Sequence, residues 1–216
     1  MIPIRRFAAA TLVAASLAAL AAFAAPAAHA KTIVDEWHDV KVPPPPKLDP
    51  VTVDPKTTAL LMLDFVKQTC NMQRRPRCIA SLPKVAKLLK EARASHTFVV
   101  YSYIIGGSPA DILKEVARTD DEPTVFSGPD KFLHTDLEKI LKDHGIKTVV
   151  VVGTASHGAV LYTASEASLR GFKTIVPLDG SSAENLYAEQ YVAYDLVNAP
   201  VVAKNVTLTS IAQVKF

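Results

Sequence analysis

Cysteine is scarce: the chain has two, Cys70 and Cys78, in 216 residues. That excludes a four-cysteine zinc module and a multiply cross-linked scaffold, since both need more than one pair. Charge of one sign is also lacking, because 24 basic residues against 21 acidic ones leave a formal net charge of +3. Such a balance carries no electrostatic footprint for nucleic acid, and no nucleic-acid partner is expected. Glycine is sparse at eight residues while 49% of the chain is apolar, which excludes a disordered or low-complexity body. Past residue 30 there is no second long apolar run.

What is present begins with a leader. Arg5 and Arg6 precede an Ala/Leu-rich stretch from Phe7 to Ala25, and Ala28-His29-Ala30 comes after it. Basic, apolar and small residues in that order predict a secretory signal peptide over residues 1–30, cleaved before Lys31. A retained anchor needs about twenty strongly apolar residues, and this stretch is mostly alanine. The arginines lack the surroundings of a twin-arginine signal, so the general secretory route is expected. Cleavage removes two arginines and no acid, taking the charge from +3 to +1. The mature chain is expected in the periplasm or outside the cell and off the membrane. In an oxidising compartment Cys70 and Cys78 are expected to form a disulfide. The alternative is a catalytic thiol whose pKa Arg74, Arg75 and Arg77 would lower.

Residues 31–56 read as an irregular proline-rich arm, because Pro43–Pro46 are confined to extended backbone and Pro50 and Pro55 break any regular element before residue 57. The arm is expected to wrap the domain or a neighbouring subunit. Residues 57–216 read as one α/β domain, large enough for a substantial core. Short continuous apolar runs at Ala59–Leu63, Thr97–Tyr103, Thr148–Val152 and Thr174–Pro177 predict buried parallel strands. Helical spacing lies between them: Leu82, Val85, Leu88, Leu89 and Ala92; Leu133, Leu137, Ile140 and Leu141; Val160, Ala164, Ala167 and Ser168. A further helix is expected over Glu184–Val197. In open parallel sheets ligands gather beyond the carboxyl ends of the strands. That rule points to Asp64, to the loop after Tyr103 and to Gly153–Ala159.

Thr58-Ala59-Leu60-Leu61-Met62-Leu63-Asp64-Phe65, then Phe132-Leu133-His134-Thr135-Asp136-Leu137, then Val150 through Ala164, and finally Gly171-Phe172 with Asp179, resemble the isochorismatase-like hydrolase superfamily. The resemblance implies a three-layer sandwich with a central, mainly parallel sheet, and assembly into dimers or larger oligomers. Most members resemble cysteine hydrolases of amides, with an aspartate at the end of the first strand, a supporting lysine and a cysteine opening the last site helix. Asp64 matches the aspartate. Ala159 stands at the cysteine position, and alanine is no nucleophile. Phe126 occupies the usual place of the lysine, and Lys131 is the nearby candidate. Relatives carry a non-proline cis peptide that maps to Thr154-Ala155. Tyr103–Pro109 contain none of the histidines that hold metal in nicotinamidase relatives, so no metal and no cofactor are expected.

True isochorismatases resemble this chain more, with a small residue for cysteine and an aspartate that protonates a vinyl ether. The catalytic candidates are therefore Asp64, Lys131 and His157, with Phe65, Thr154, Ala155, Ser156, Gly158 and Ala159 as substrate-binding candidates. Ser156 is expected to cap a helix rather than attack. The expected activity is hydrolysis of a small metabolite without a cysteine nucleophile. The alternative is an exported binding protein that keeps the pocket but not the chemistry.

Overall fold

The computed structural model describes residues 30–216, so the expected leader, but for its last residue, lies outside the described residues. In chain order the strands are β1 (Val51–Thr52), β2 (Thr58–Leu63), β3 (Phe98–Ile104), β4 (Thr124–Ser127), β5 (Thr148–Thr154), β6 (Lys173–Pro177), β7 (Ser181–Ser182), β8 (Val206–Thr209) and β9 (Val214–Lys215). The longer helices are α1 (Pro76–Ala94), α2 (Leu137–Asp143), α3 (Leu161–Leu169) and α4 (Leu186–Asn198).

The main sheet has the order β4-β3-β2-β5-β6-β8, with β7 added beside the end of β5, and every pairing is parallel. All of β2 is buried, as are Val149–Val152 of β5, the pattern of strands covered on both faces. Side chains alternate between two cores. Leu61, Leu63 and Val151 pack with Leu137, Leu141, Ala164 and Leu196 of α2, α3 and α4. Leu60, Met62, Val150 and Val152 pack with Val85 and Leu88 of α1. The chain is thus an α/β three-layer sandwich.

Two departures from the sequence reading have local causes. Helix α2 begins at Leu137 rather than Leu133, because His134 takes a positive φ of 56° that no right-handed helix accommodates. Leu133 is consequently exposed, whereas Phe132 and Leu137 are buried. Helix α1 starts at Pro76, ahead of the expected apolar face. Proline suits a first helical position because its missing N–H needs no partner there.

The described residues before Pro43 are set apart as a unit of their own and contain one helical turn, Trp37–Asp39. The other unit, Pro43–Phe216, opens with the proline run. Pro43–Pro46 line a groove with Tyr194 of α4 and Val206 of β8, and the Asp49 N–H donates to the Leu208 carbonyl at 2.9 Å. Strand β1 then pairs with β9, Val51 opposite Val214. No helix among the described residues is long and apolar enough to cross a membrane.

The register that matters most joins β2 to β5, with Leu63 opposite Gly153. A Cβ at Gly153 would lie 2.5 Å from the Leu63 carbonyl oxygen. Glycine here lets the two strand ends approach, bringing Asp64 alongside Thr154.

Candidate active site

Asp64 leaves the end of β2 with a φ of 54°. Its N–H donates to the Ser102 carbonyl at 3.2 Å, and its own carbonyl accepts from the Thr69 hydroxyl at 2.5 Å. The carboxyl is almost wholly buried, at 6% side-chain exposure. Its Oδ1 accepts from Ser102 Oγ at 2.7 Å, and Oδ2 lies 2.8 Å from Lys131 Nζ. Lys131 is entirely buried. Its ammonium also donates to the Gly128 carbonyl at 2.9 Å and the Ser127 carbonyl at 3.3 Å, which employs all three of its protons. Burial pushes the Asp64 carboxyl above its ordinary pKa, and Lys131, Ser102 and the Arg75 charge only partly offset that rise.

Lys131 reaches the aspartate from a different chain position than the one held by Phe126. Phe126 is exposed and stacks on Tyr103 with ring centroids 5.7 Å apart. Past the end of β4 the chain turns on itself, with Ser127 Oγ donating to the Asp130 carbonyl at 2.6 Å and Asp130 Oδ1 accepting from the Phe132 N–H at 2.8 Å. The Lys131 N–H donates to Thr163 Oγ1 of α3 at 3.2 Å. This turn sends the lysine side chain inward.

The segment after β5 supplies the other wall. The Thr154-Ala155 peptide is cis, where the family resemblance puts one. Ser156–Val160 then wind as a single wide π turn, with the Gly158 and Val160 N–H groups both donating to the Ala155 carbonyl. Ser156 is not the expected cap. Ala155 holds the cap position, and Ser156 Oγ instead donates to Ser181 Oγ at 3.2 Å, because the wide turn carries its hydroxyl toward β7. Thr154 Oγ1 donates to the Ser182 carbonyl at 3.2 Å. Ala159 is buried, at 4% exposure. His157 Nε2 lies 3.7 Å from Glu184 Oε2, and its buried Nδ1 has no hydrogen-bond partner.

Asp64 and Lys131 are therefore in contact, and the β2–β5 register sets Thr154, Ala155, Ser156, Gly158 and Ala159 in the adjoining turn. Phe65 belongs elsewhere: its ring lies in the apolar core under α1, because the chain reverses direction after Asp64. Cys70 and Cys78 form a disulfide with Cα atoms 5.4 Å apart, so no thiol is free among the described residues. No cluster of metal-ligating side chains occurs among them either. Three neighbours escape the sequence reading. Ser102 has a signal, a polar residue within the apolar run of β3. Arg75 and Glu184 have none, because the chain folds them together from distant positions, with Arg75 Nη2 2.6 Å from Glu184 Oε1.

The isochorismatase domain model matches residues 58–210. The secreted isochorismatase effector Isc1 of Verticillium dahliae is 31% identical over 111 residues, a match spanning 46% of this chain and 58% of that protein. This chain thus covers little more than half of that relative's length. Among solved structures, a cysteine hydrolase from Pseudomonas syringae pv. phaseolicola superposes with a TM-score of 0.67 at 19% identity, over 78% of this chain and 95% of that one. An isochorismatase-like hydrolase from Alkaliphilus metalliredigens does so with a TM-score of 0.65 at 24% identity, over 73% and 96%. Those two likenesses are of fold. The domain match covers both Asp64 at the end of β2 and the turn carrying Ala159, and on it the chain belongs to the isochorismatase family.

Proposed function

We propose that this chain is an exported hydrolase that cleaves a vinyl ether, ester or amide bond in a small metabolite without a cysteine nucleophile. The observation that carries the reading is the buried Asp64–Lys131 pair beside a turn whose nucleophile position is alanine. A carboxyl raised by burial keeps its proton to higher pH than an ordinary aspartate, as a general acid requires. With a vinyl ether, Asp64 gives that proton to the terminal alkene carbon, and the alkene electron pair forms the new C–H bond. The ether oxygen stabilises the resulting oxocarbenium ion, while the Lys131 ammonium balances the carboxylate left on Asp64. Water adds to the cation and returns a proton to Asp64. The hemiketal then breaks into an alcohol and a ketone. With an ester or amide, Asp64 in its carboxylate form takes a proton from the water that adds to the carbonyl carbon, and gives it to the alcohol or amine that leaves as the tetrahedral adduct collapses to the acid. His157 orients substrate or water, and the Thr154–Ala159 backbone holds the substrate's polar atoms.

Export is supported by the leader and by the Cys70–Cys78 bridge, which suits an oxidising compartment. The fungal relative is named as secreted. The working form is a homo-oligomer, as the family resemblance implies, and sedimentation of the mature chain checks it.

The test is a panel of vinyl ethers, esters and amides run on wild type and Asp64→Asn at matched concentration, with near-ultraviolet circular dichroism confirming the fold. Losing the acid should lower kcat by about 10²–10⁴-fold. Turnover that survives the substitution refutes the role of Asp64. A wild type that binds but turns over none of the classes makes the chain a binding protein.

A further inference from the structure

Three arginine–glutamate pairs differ in one respect. Arg77 grips Glu189 through Nε at 2.7 Å and Nη2 at 2.5 Å, and Arg93 grips Glu122 the same way at 2.8 and 2.7 Å. Arg75 meets Glu184 through Nη2 alone, at 2.6 Å, and its Nε has no partner. Yet Arg75 is the most buried of the three, with 6% of its side chain exposed against 44% and 33%. The one incomplete fork is thus the one for which an unmade bond costs most.

The fork is tied to the site on both sides. Arg75 Nη1 donates to the Thr69 carbonyl at 3.2 Å, and the Thr69 hydroxyl donates to the Asp64 carbonyl. Glu184 closely follows Ser182, which pairs with Thr154 in the sheet, and its second oxygen faces His157 Nε2 at 3.7 Å. The loop holding Arg75 is fixed as well. Cys70 and Cys78 bracket it, Asn71 Oδ1 accepts from the Gln73 and Arg74 N–H groups, and the Cys78 N–H donates to the Arg75 carbonyl.

We propose that Arg75 is a specificity-determining residue, whose Nε and Nη2 edge takes a carboxylate of the substrate in bidentate fashion while Glu184 gives up its single contact. This rests on the hydrolase reading for the chemistry after binding, but not for the binding itself. A planar carboxylate fits the two-pronged edge that Glu184 fills only by half. The displaced Glu184 keeps cations at hand, His157 at 3.7 Å when protonated and Arg74 Nε at 3.8 Å. The disulfide-closed loop thereby becomes part of the recognition apparatus.

Isothermal titration with benzoate and with benzamide, its neutral counterpart, separates the outcomes on wild type, Arg75→Lys and Glu184→Gln, each with its disulfide intact. Wild type should bind benzoate at least about tenfold more tightly than benzamide, and Arg75→Lys, which keeps the charge and loses the fork, should erase that preference. Glu184→Gln should bind benzoate several-fold more tightly, about threefold or more, because the competing carboxylate is gone; this variant decides the matter should Arg75→Lys fail to fold. Equal binding of benzoate and benzamide by wild type, or an unchanged preference in Arg75→Lys, overturns the proposal. A protein that prefers benzoate through Arg75 but hydrolyses nothing sinks the hydrolase reading alone.

Discussion

Replacing Lys131 by methionine keeps an unbranched side chain only one heavy atom shorter and removes its charge, which isolates what the buried ammonium does for Asp64. At 2.8 Å and an effective dielectric of about 20, the attraction is about 6 kcal/mol. Relief of the lysine's own desolvation offsets part of that, leaving a loss of about 3–5 kcal/mol for a carboxylate that stays charged. Asp64 escapes the loss by holding a proton, so its folded pKa rises further above the ordinary carboxyl value. In the unfolded chain it ionises near 3.8. The folded pKa is raised, so the penalty is absent below the unfolded pKa and grows as pH climbs through the folded one. Urea titrations of oxidised wild type and Lys131→Met at pH 5 and pH 9 measure this directly. The variant's deficit at pH 9 should exceed that at pH 5 by about 2–4 kcal/mol. The Ser127 and Gly128 carbonyls lose a donor at both pH values and add a constant. Adding Asp64→Asn should flatten the dependence. An equal deficit at both pH values in the single variant would refute the coupling.

Cys70→Ser with Cys78→Ser opens a bridge between residues eight apart and should cost about 2–3 kcal/mol in urea titration under oxidising conditions; native wild type should meanwhile show no thiol reactive to an alkylating label. Gly153→Ala drives a methyl group against the Leu63 carbonyl, which β2 cannot withdraw, and should cost about 1–3 kcal/mol in the same titration. A neutral result there would mean that the β2–β5 register is looser than the contact implies.

The elements legible in the sequence are those whose signal is local. Ala59–Leu63 and Thr148–Val152 are apolar without interruption, and they form the central pair of the sheet. Strands β4 and β8 carry no such signal, because each has four residues, partly polar and partly exposed, and owes its extended form to the neighbour it pairs with. Asp64 is readable from its place at a strand end. The inward course of Lys131 is not, because it depends on a turn closed by Ser127, Asp130 and Thr163, of which the last lies far along the chain. Ser156 misleads for a related reason. Serine before a helix ordinarily caps it, but the wide turn hands the cap position to Ala155.

Strand β8 forms one margin of the main sheet, and such a margin is an open template on which another chain can add a strand. The Asp49 N–H already occupies the Leu208 carbonyl there, and Pro43–Pro46 lie in the groove beside Val206. Proline has no N–H to offer a further strand. The run therefore works as a terminator, closing the sheet on that side against edge-to-edge self-association. Without residues 43–50 the domain would keep its Asp64 site and lose its protection against aggregation at high concentration.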